Sequence, residues 1–501
     1  MANNQQRRYT APCPGCGAPV EFLSAQSTHA VCGYCHSTVV RSGEVLKRIG
    51  KMAELFEEHS PLQLMATGQW EKLTFTLIGR MQFRGEEGGW AEWNAYLDDG
   101  SRATLGEDNG AYVFTRPLEV KDGALPPPEK LPLGASVTIA GQAWNVTAHM
   151  RAHLAAAEGE LPKLPPLGQT FTAVELRSDD GQVLSIDYGS APPQLEVGRS
   201  VQLADLNLKG LKDESVKQEQ GRHFDCPHCG APVQVQLDTS KSITCGNCHS
   251  LIDLTQGIGA EIVSSTQDEP VRPLIALGSI GQFEGVPWQV VGFQHRMGQE
   301  PGDDEQFGWD EYLLYHQKKG FTFLVDASDG WSLVRPTTGA PTQAQSGQMA
   351  RYLGSNYRRT SSYGAETTYV AGEFYWPVTR GQRTSNVDYA ATSGTGLLSR
   401  EQGGTEITWS VGSRMASANV AAAFGRAADA AKFKRDEVGP FAASGGGGCA
   451  TVLVFAFIIF VAFIIFAAYI GSSSSSGGSS GSYSRSSGGS FGGYSSGGSH
   501  K

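Results

Sequence analysis

The run Trp309-Asp310-Glu311-Tyr312-Leu313-Leu314-Tyr315-His316-Gln317-Lys318-Lys319-Gly320-Phe321-Thr322-Phe323-Leu324-Val325 decides the fold class. Aromatic and branched residues fill both arms, and a short polar turn ending in glycine separates them, which is the signature of a β-hairpin. Similar β-rich runs recur at Leu73–Gly79, Trp288–Phe293, Ser136–Ile139, Ala140–Trp144 and Val183–Ile186. Helical pattern is confined to Gly43–Glu58 and Ala416–Lys434. The expected fold is therefore mainly β, built of barrel-like or sandwich-like domains.

The hairpin has a twin. Trp90-Ala91-Glu92-Trp93-Asn94-Ala95-Tyr96 matches Trp309–Tyr315 at an offset of 219, as Tyr112–Pro117 matches Trp331–Pro336. Gly159-Glu160 meets Gly372-Glu373, and Gly168-Gln169 meets Gly381-Gln382, at 213. Leu184-Ser185 meets Leu398-Ser399, and Val197-Gly198 meets Val411-Gly412, at 214. Small indels account for the drift, so a unit of roughly 190 residues occurs twice.

Each unit begins with a cysteine quartet. Cys13-Pro14-Gly15-Cys16 precedes Cys32-Gly33-Tyr34-Cys35, and Cys226-Pro227-His228-Cys229 precedes Cys245-Gly246-Asn247-Cys248, both with fifteen residues between the pairs. Two C-x-x-C knuckles at this separation are the spacing of a four-thiolate zinc site. Each knuckle points two sulfurs to one side, and the intervening hairpin brings the knuckles face to face. Gly17 and Gly230 follow the second cysteines, where the turn favours positive φ. Two structural Zn2+ ions are expected; rubredoxin-like iron would use the same thiolates. Cys32–His36 and Cys245–His249 also match the C-x-x-C-H attachment signature of c-type haem, which does not need the upstream pairs. Disulfides would need an oxidising compartment. Because four thiolates fill a tetrahedral shell, both sites are read as structural rather than catalytic.

The Trp-x-Glu-Tyr-Leu-Leu-Tyr hairpin, followed by Gly320-Phe321 and Gly330-Trp331-Ser332-Leu333-Val334, resembles the bacterial domain-of-unknown-function family 4178. In the first copy Leu97-Asp98-Asp99-Gly100 replaces the second half of the hairpin core. The resemblance implies two copies, a bacterial context and an N-terminal zinc ribbon, and it brings no catalytic residue. The expected organisation is a ribbon at 9–42, a β-rich domain at 60–201, a second ribbon at 222–256 and a second β-rich domain at 270–413. A helix and glycine linker follow at 414–448.

From Ala450 to Ile470 the sequence runs 21 residues without a charge. As a helix this is about 31 Å long, matching the roughly 30 Å hydrocarbon core of a bilayer. Residues 450–470 are therefore expected to be a transmembrane helix, and the Gly/Ser-rich tail at 471–501 to be disordered. Lys432, Lys434 and Arg435 lie upstream, whereas downstream only Arg485 and Lys501 carry positive charge. The positive-inside rule then places the soluble region in the cytoplasm, on a single-pass C-terminal anchor in the cytoplasmic membrane. The polar first ten residues give no expectation of a cleaved export signal.

The 501 residues carry a net charge of −10, with 40% hydrophobic and 18% charged side chains. That composition excludes wholesale disorder and disfavours nucleic acid as a partner. Outside the Gly/Ser-rich tail there is no G-x-S-x-G elbow, and the chain has no phosphate-binding G-x-x-x-x-G-K, no H-E-x-x-H and no dinucleotide fingerprint in a strand–helix context. The acidic run Asp303-Asp304-Glu305 reads as a solvated loop, and His223, His295 and His316 as scattered solvated side chains. Glu92 and Glu311 recur beside aromatics, and their expected partners are Arg116 and Arg335. A ligand pocket could instead use Trp90, Glu92, Tyr96, Trp309, Glu311 and Tyr315, although aromatics alternating along strands more often form core. The favoured expectation is a non-enzymatic scaffold with a bilayer and an unidentified protein as partners. The alternative is an enzyme or small-ligand sensor built on the aromatic and glutamate residues.

Overall fold

The computed structural model describes residues 9–437 except 25, 43–44, 53–59, 86–88, 109–110, 121–124, 163, 166–168, 213–221, 238–239, 255–263, 266–270, 317–318, 338, 345 and 405. Strands dominate it. In the first unit β1 (Leu73–Gly85), β2 (Gly89–Leu97), β3 (Arg102–Asp108) and β4 (Ala111–Pro117) form one meander. A second meander comprises β5 (Gln142–Leu161), β6 (Phe171–Arg177), β7 (Gln182–Asp187) and β8 (Gln194–Val201). β4 pairs with β8 and β5 with β1, so eight antiparallel strands close on themselves in the order β1-β2-β3-β4-β8-β7-β6-β5. Closure removes the unpaired edges that two separate meanders would expose.

The second unit repeats this arrangement. Its strands are β9 (Val286–Gln299), β10 (Gln306–His316), β11 (Gly320–Ala327), β12 (Gly330–Pro336), β13 (Ser355–Phe374), β14 (Arg383–Ala391), β15 (Gly396–Gly403) and β16 (Glu406–Met415). They close as β9-β10-β11-β12-β16-β15-β14-β13. The expected hairpin is β10–β11, with Tyr315 opposite Phe321 and His316 opposite Gly320.

Alternation along the strands separates two apolar environments. Trp309, Leu313, Phe323, Val334, Tyr363 and Leu397 come from both meanders and pack in the barrel interior. Tyr312, Leu314, Leu324 and Trp331 face outward, beneath α1 (Ser417–Ala423) and α2 (Ala430–Phe433). Trp331 Nε1 donates to the Phe433 carbonyl at 2.8 Å, and Arg435 pairs with Asp326 at 2.6 Å, holding this C-terminal segment on the barrel. The two barrels also touch. Arg177 donates to the Thr337 carbonyl at 2.9 Å, and the Leu353 amide to the Asp179 carbonyl at 2.8 Å.

Two helical expectations change. Val45–Lys51, inside the expected helix Gly43–Glu58, is a strand paired with Ser37–Ser42. Val45, Leu46 and Ile49 suit either period, and a β-branched neighbour, Thr38-Val39-Val40, decides for the sheet. The segment Ala416–Lys434 is two short helices separated by a 3-10 turn at Ala427–Asp429. The expected transmembrane helix at 450–470 and tail at 471–501 lie outside the described residues. Among the described residues no helix is long and apolar enough to cross a membrane.

Candidate metal centres and their attachment to the barrels

Each quartet folds as two knuckles. In the first, the Gly17 amide donates to the Cys13 carbonyl at 2.8 Å and the His36 amide to the Cys32 carbonyl at 2.9 Å. Gly230 and His249 do the same to Cys226 and Cys245 at 2.8 and 3.0 Å. All four residues after the second cysteine of a knuckle have positive φ: Gly17 79°, His36 55°, Gly230 72° and His249 60°. The histidines that suggested haem attachment thus occupy the left-handed turn position that glycine fills in the partner knuckle.

The sulfurs converge. Within each quartet the ligand atoms lie within 4.8 Å of one another. Cys13 to Cys35 and Cys16 to Cys32 are each 3.7 Å apart; Cys226 to Cys248 is 3.7 Å and Cys229 to Cys245 is 3.8 Å. A tetrahedron with about 2.3 Å metal–sulfur bonds has edges of about 3.8 Å. A disulfide would need about 2.05 Å. The donor set therefore fits a four-coordinate thiophilic metal. Ser37 lies 3.2 Å from Cys35 Sγ, and its side chain and backbone amide hold that thiol down to about 6. Ser250, 3.3 Å from Cys248 Sγ, does the same in the second quartet. One thiol per quartet is held down in this way, whereas Cys16 is pushed up to about 12 and Cys226 up to about 11.

Each ribbon is fastened to its barrel by one carboxylate. The strand His29–Val31 pairs with the end of β5, setting Glu160 opposite Ala30. Glu160 then accepts the backbone amides of Leu23 and Ser24. In the second unit Ser242 pairs with Phe374 and Ile243 with Glu373. Glu373 accepts the amides of Gln236 and Leu237, both at 2.8 Å, and the Ser240 hydroxyl at 2.6 Å. Burial pushes the Glu160 carboxyl above its ordinary range, and the amides of Leu23 and Ser24 oppose this.

Paired glycines make the clamp possible. Gly79 faces Gly159 across β1–β5, and Gly292 faces Gly372 across β9–β13. A Cβ on Gly79 would stand 1.8 Å from the Glu160 carbonyl oxygen, and one on Gly292 2.7 Å from that of Glu373. Only bare backbone lets the strands approach this closely while the next residue turns towards the ribbon. Sequence reasoning matched Gly159-Glu160 with Gly372-Glu373 as a repeat but assigned them no role. The signal was available in the identical 213-residue offset of Ser27 and Ser240, which flank the clamp.

The repeated aromatic and glutamate residues sit in the barrel walls. Trp90, Glu92, Trp309 and Glu311 are buried, with Glu311 1% exposed, while Tyr96 and Tyr315 are half-buried. Each glutamate accepts the indole N–H two residues before it, at 2.7 Å for Trp90 and 2.6 Å for Trp309. The arginine partners differ from those expected. Arg116 lies over the Trp70 ring at 4.7 Å, and Arg335 pairs with Glu284 at 2.8 Å. Glu311 meets Arg296 instead, at 3.5 Å, because β9 runs beside β10 at this level whereas Arg335 lies at the far end of β12. His295 is not a free solvated side chain: its Nδ1 lies 2.7 Å from Asp310.

A family model described as a domain of unknown function (DUF4178) matches residues 63–203 and 276–417, together more than half of the chain. No curated protein and no solved structure matches.

Proposed function

Because this chain belongs to that family of unknown function and carries its domain twice, we propose that it is a membrane-tethered, non-enzymatic scaffold with two structural zinc ribbons. Its two ribbon–barrel units would face the cytoplasm and engage one protein partner from the inner surface of the cytoplasmic membrane. The observation that carries this reading is the repeated unit itself, a four-sulfur centre clamped to a closed barrel in both copies. Four cysteines per centre leave no ligand position for a substrate. Two linked copies raise avidity without any new contact. The apolar run Ala450–Ile470 supports the tether. An enzyme or sensor acting through Glu311 would have to open a wall in which that residue is 1% exposed.

The test compares the full chain, solubilised in detergent, with a chain lacking residues 222–437 and with residues 438–501 alone. A partner retained by the full chain should be retained at least about tenfold more weakly by the single-unit chain, as linked binding requires. It should be lost from the C-terminal segment alone. Equal retention by all three would overturn the scaffold reading.

A further inference from the structure

The duplication provides an internal control for the barrel interior. In the first barrel, Phe83 stacks on Trp90 with ring centroids 5.2 Å apart, and Phe171 meets Phe83 edge-on at 5.8 Å. Ala173 is fully buried beside them. In the second barrel Arg296 faces Trp309 across β9–β10 as Phe83 faces Trp90 across β1–β2. The 213-residue offset places Thr384 and Asn386 where Phe171 and Ala173 stand. One aromatic side chain is replaced by an arginine, and two further apolar side chains by neutral polar ones, at the same positions of the same fold.

The exchanged residues form one network. Arg296 is 1% exposed, lies over the Trp309 ring at 5.4 Å, and donates to Glu401 at 2.8 Å and to Thr384 Oγ1 at 2.6 Å. Thr384 Oγ1 lies 3.3 Å from Asn386 Oδ1, and Asn386 is the cross-strand neighbour of Glu401. Glu311 accepts from Gln294 Nε2 and Trp309 Nε1, both at 2.6 Å. The first barrel keeps the glutamate, as the buried Glu92, but closes with Phe83 in place of the arginine. A buried ion network often contributes no more stability than packed apolar residues of similar volume.

Three buried atoms of this network, Arg296 Nε, Asn386 Nδ2 and Glu401 Oε1, have no hydrogen-bond partner among the described residues. An unpaired buried polar atom costs about 1–3 kcal/mol, and such atoms in native proteins are usually bridged by an internal molecule. We propose that the interior of the second barrel, beside Trp309, is a binding site for a small neutral molecule that both donates and accepts hydrogen bonds, with ordered water its resident occupant. The guest accepts from Arg296 Nε and Asn386 Nδ2 and donates to Glu401 Oε1. Water, which donates two hydrogen bonds and accepts two, has the capacity for all three. Glu401 already meets the Arg296 charge at 2.8 Å, so the guest need carry none, and the polar wall disfavours an apolar guest. The first barrel, with Phe83, Phe171 and Ala173 at these positions, takes none there.

The direct test is a high-resolution crystal structure of the full chain in detergent. Density within about 2.7–3.2 Å of at least two of the three atoms is expected. A spherical peak identifies water and an elongated one a small polar solute; either supports the site. Direct bonding of these atoms to protein groups, with no density between them, would overturn it. In solution, water-oxygen relaxation dispersion counts long-lived internal waters. The folded Asn386→Leu variant should lose at least one; an unchanged count would also overturn the site.

Discussion

The Glu373 carboxylate accepts the backbone amide of Leu237, 136 residues earlier, at 2.8 Å. Glu160 holds Ser24 at the same separation and a distance of 3.1 Å. A short metal ribbon has little core of its own and gains its orientation from contacts with the barrel. Fixing two successive amides, with strand pairing beside them, makes each ribbon part of the barrel wall. Leu237 and Leu251 of the second ribbon accordingly belong to the same apolar cluster as Trp309 and Phe323 of the barrel interior.

Removing the clamp should loosen the ribbon. Glu373→Ala leaves the Gln236 and Leu237 amides and the Ser240 hydroxyl without their acceptor, at a cost of about 3 kcal/mol. Amide hydrogen exchange at Gln236 and Leu237 should accelerate, and a chelator should strip the second quartet faster than the first. Unchanged exchange at both amides would show that strand pairing alone holds the ribbon.

The glycine pair behind the clamp gives a steric prediction. Gly292→Ala brings a methyl to 2.7 Å from the Glu373 carbonyl oxygen and should destabilise the chain by about 2–3 kcal/mol in urea unfolding. Gly246→Ala, with open space around its Cβ, serves as the control and should stay within about 0.5 kcal/mol of wild type. Equal effects would mean that β9 and β13 are not so closely apposed.

Glu311 gives the pH dependence. Burial pushes its carboxyl from 4.5 up to about 7, with Arg296 opposing the shift and Glu401 adding to it. Between pH 4.5 and about 7 the folded chain therefore binds more protons at this site than the unfolded chain does. This group's contribution favours folding below that window and is lost as pH rises through it. Glu311→Gln cannot ionise, so the difference in stability between variant and wild type should move in the variant's favour across pH 4.5–7. A difference that stays flat over that range would place the ionisation elsewhere.

Much of this fold can be read from the residues. The β10–β11 hairpin follows from aromatic runs around a polar turn, and the quartets follow from spacing alone. Closure into barrels could not be read, because it depends on β4 meeting β8 and β5 meeting β1, pairings between segments far apart in sequence. The strand at Val45–Lys51 was hidden for a related reason: its pattern suits two periods, and a neighbouring strand decides between them. Glu311 meets its cross-strand neighbour Gln294 and the diagonal Arg296, both on β9, rather than Arg335, and sequence alone does not place β9 beside it. Glu160 and Glu373 were visible as a repeat, but their role appears only once the ribbon amides are placed against them.

The central claim is two independent four-thiolate centres, one on each clamped unit. Elemental analysis of the purified full chain in detergent, beside its Cys226→Ser variant, tests it most directly. About two zinc ions per wild-type chain are expected, one for each four-cysteine shell, and about one in the variant. Iron, covalent haem or no metal in the wild-type chain, or loss of both ions in the variant, would contradict it.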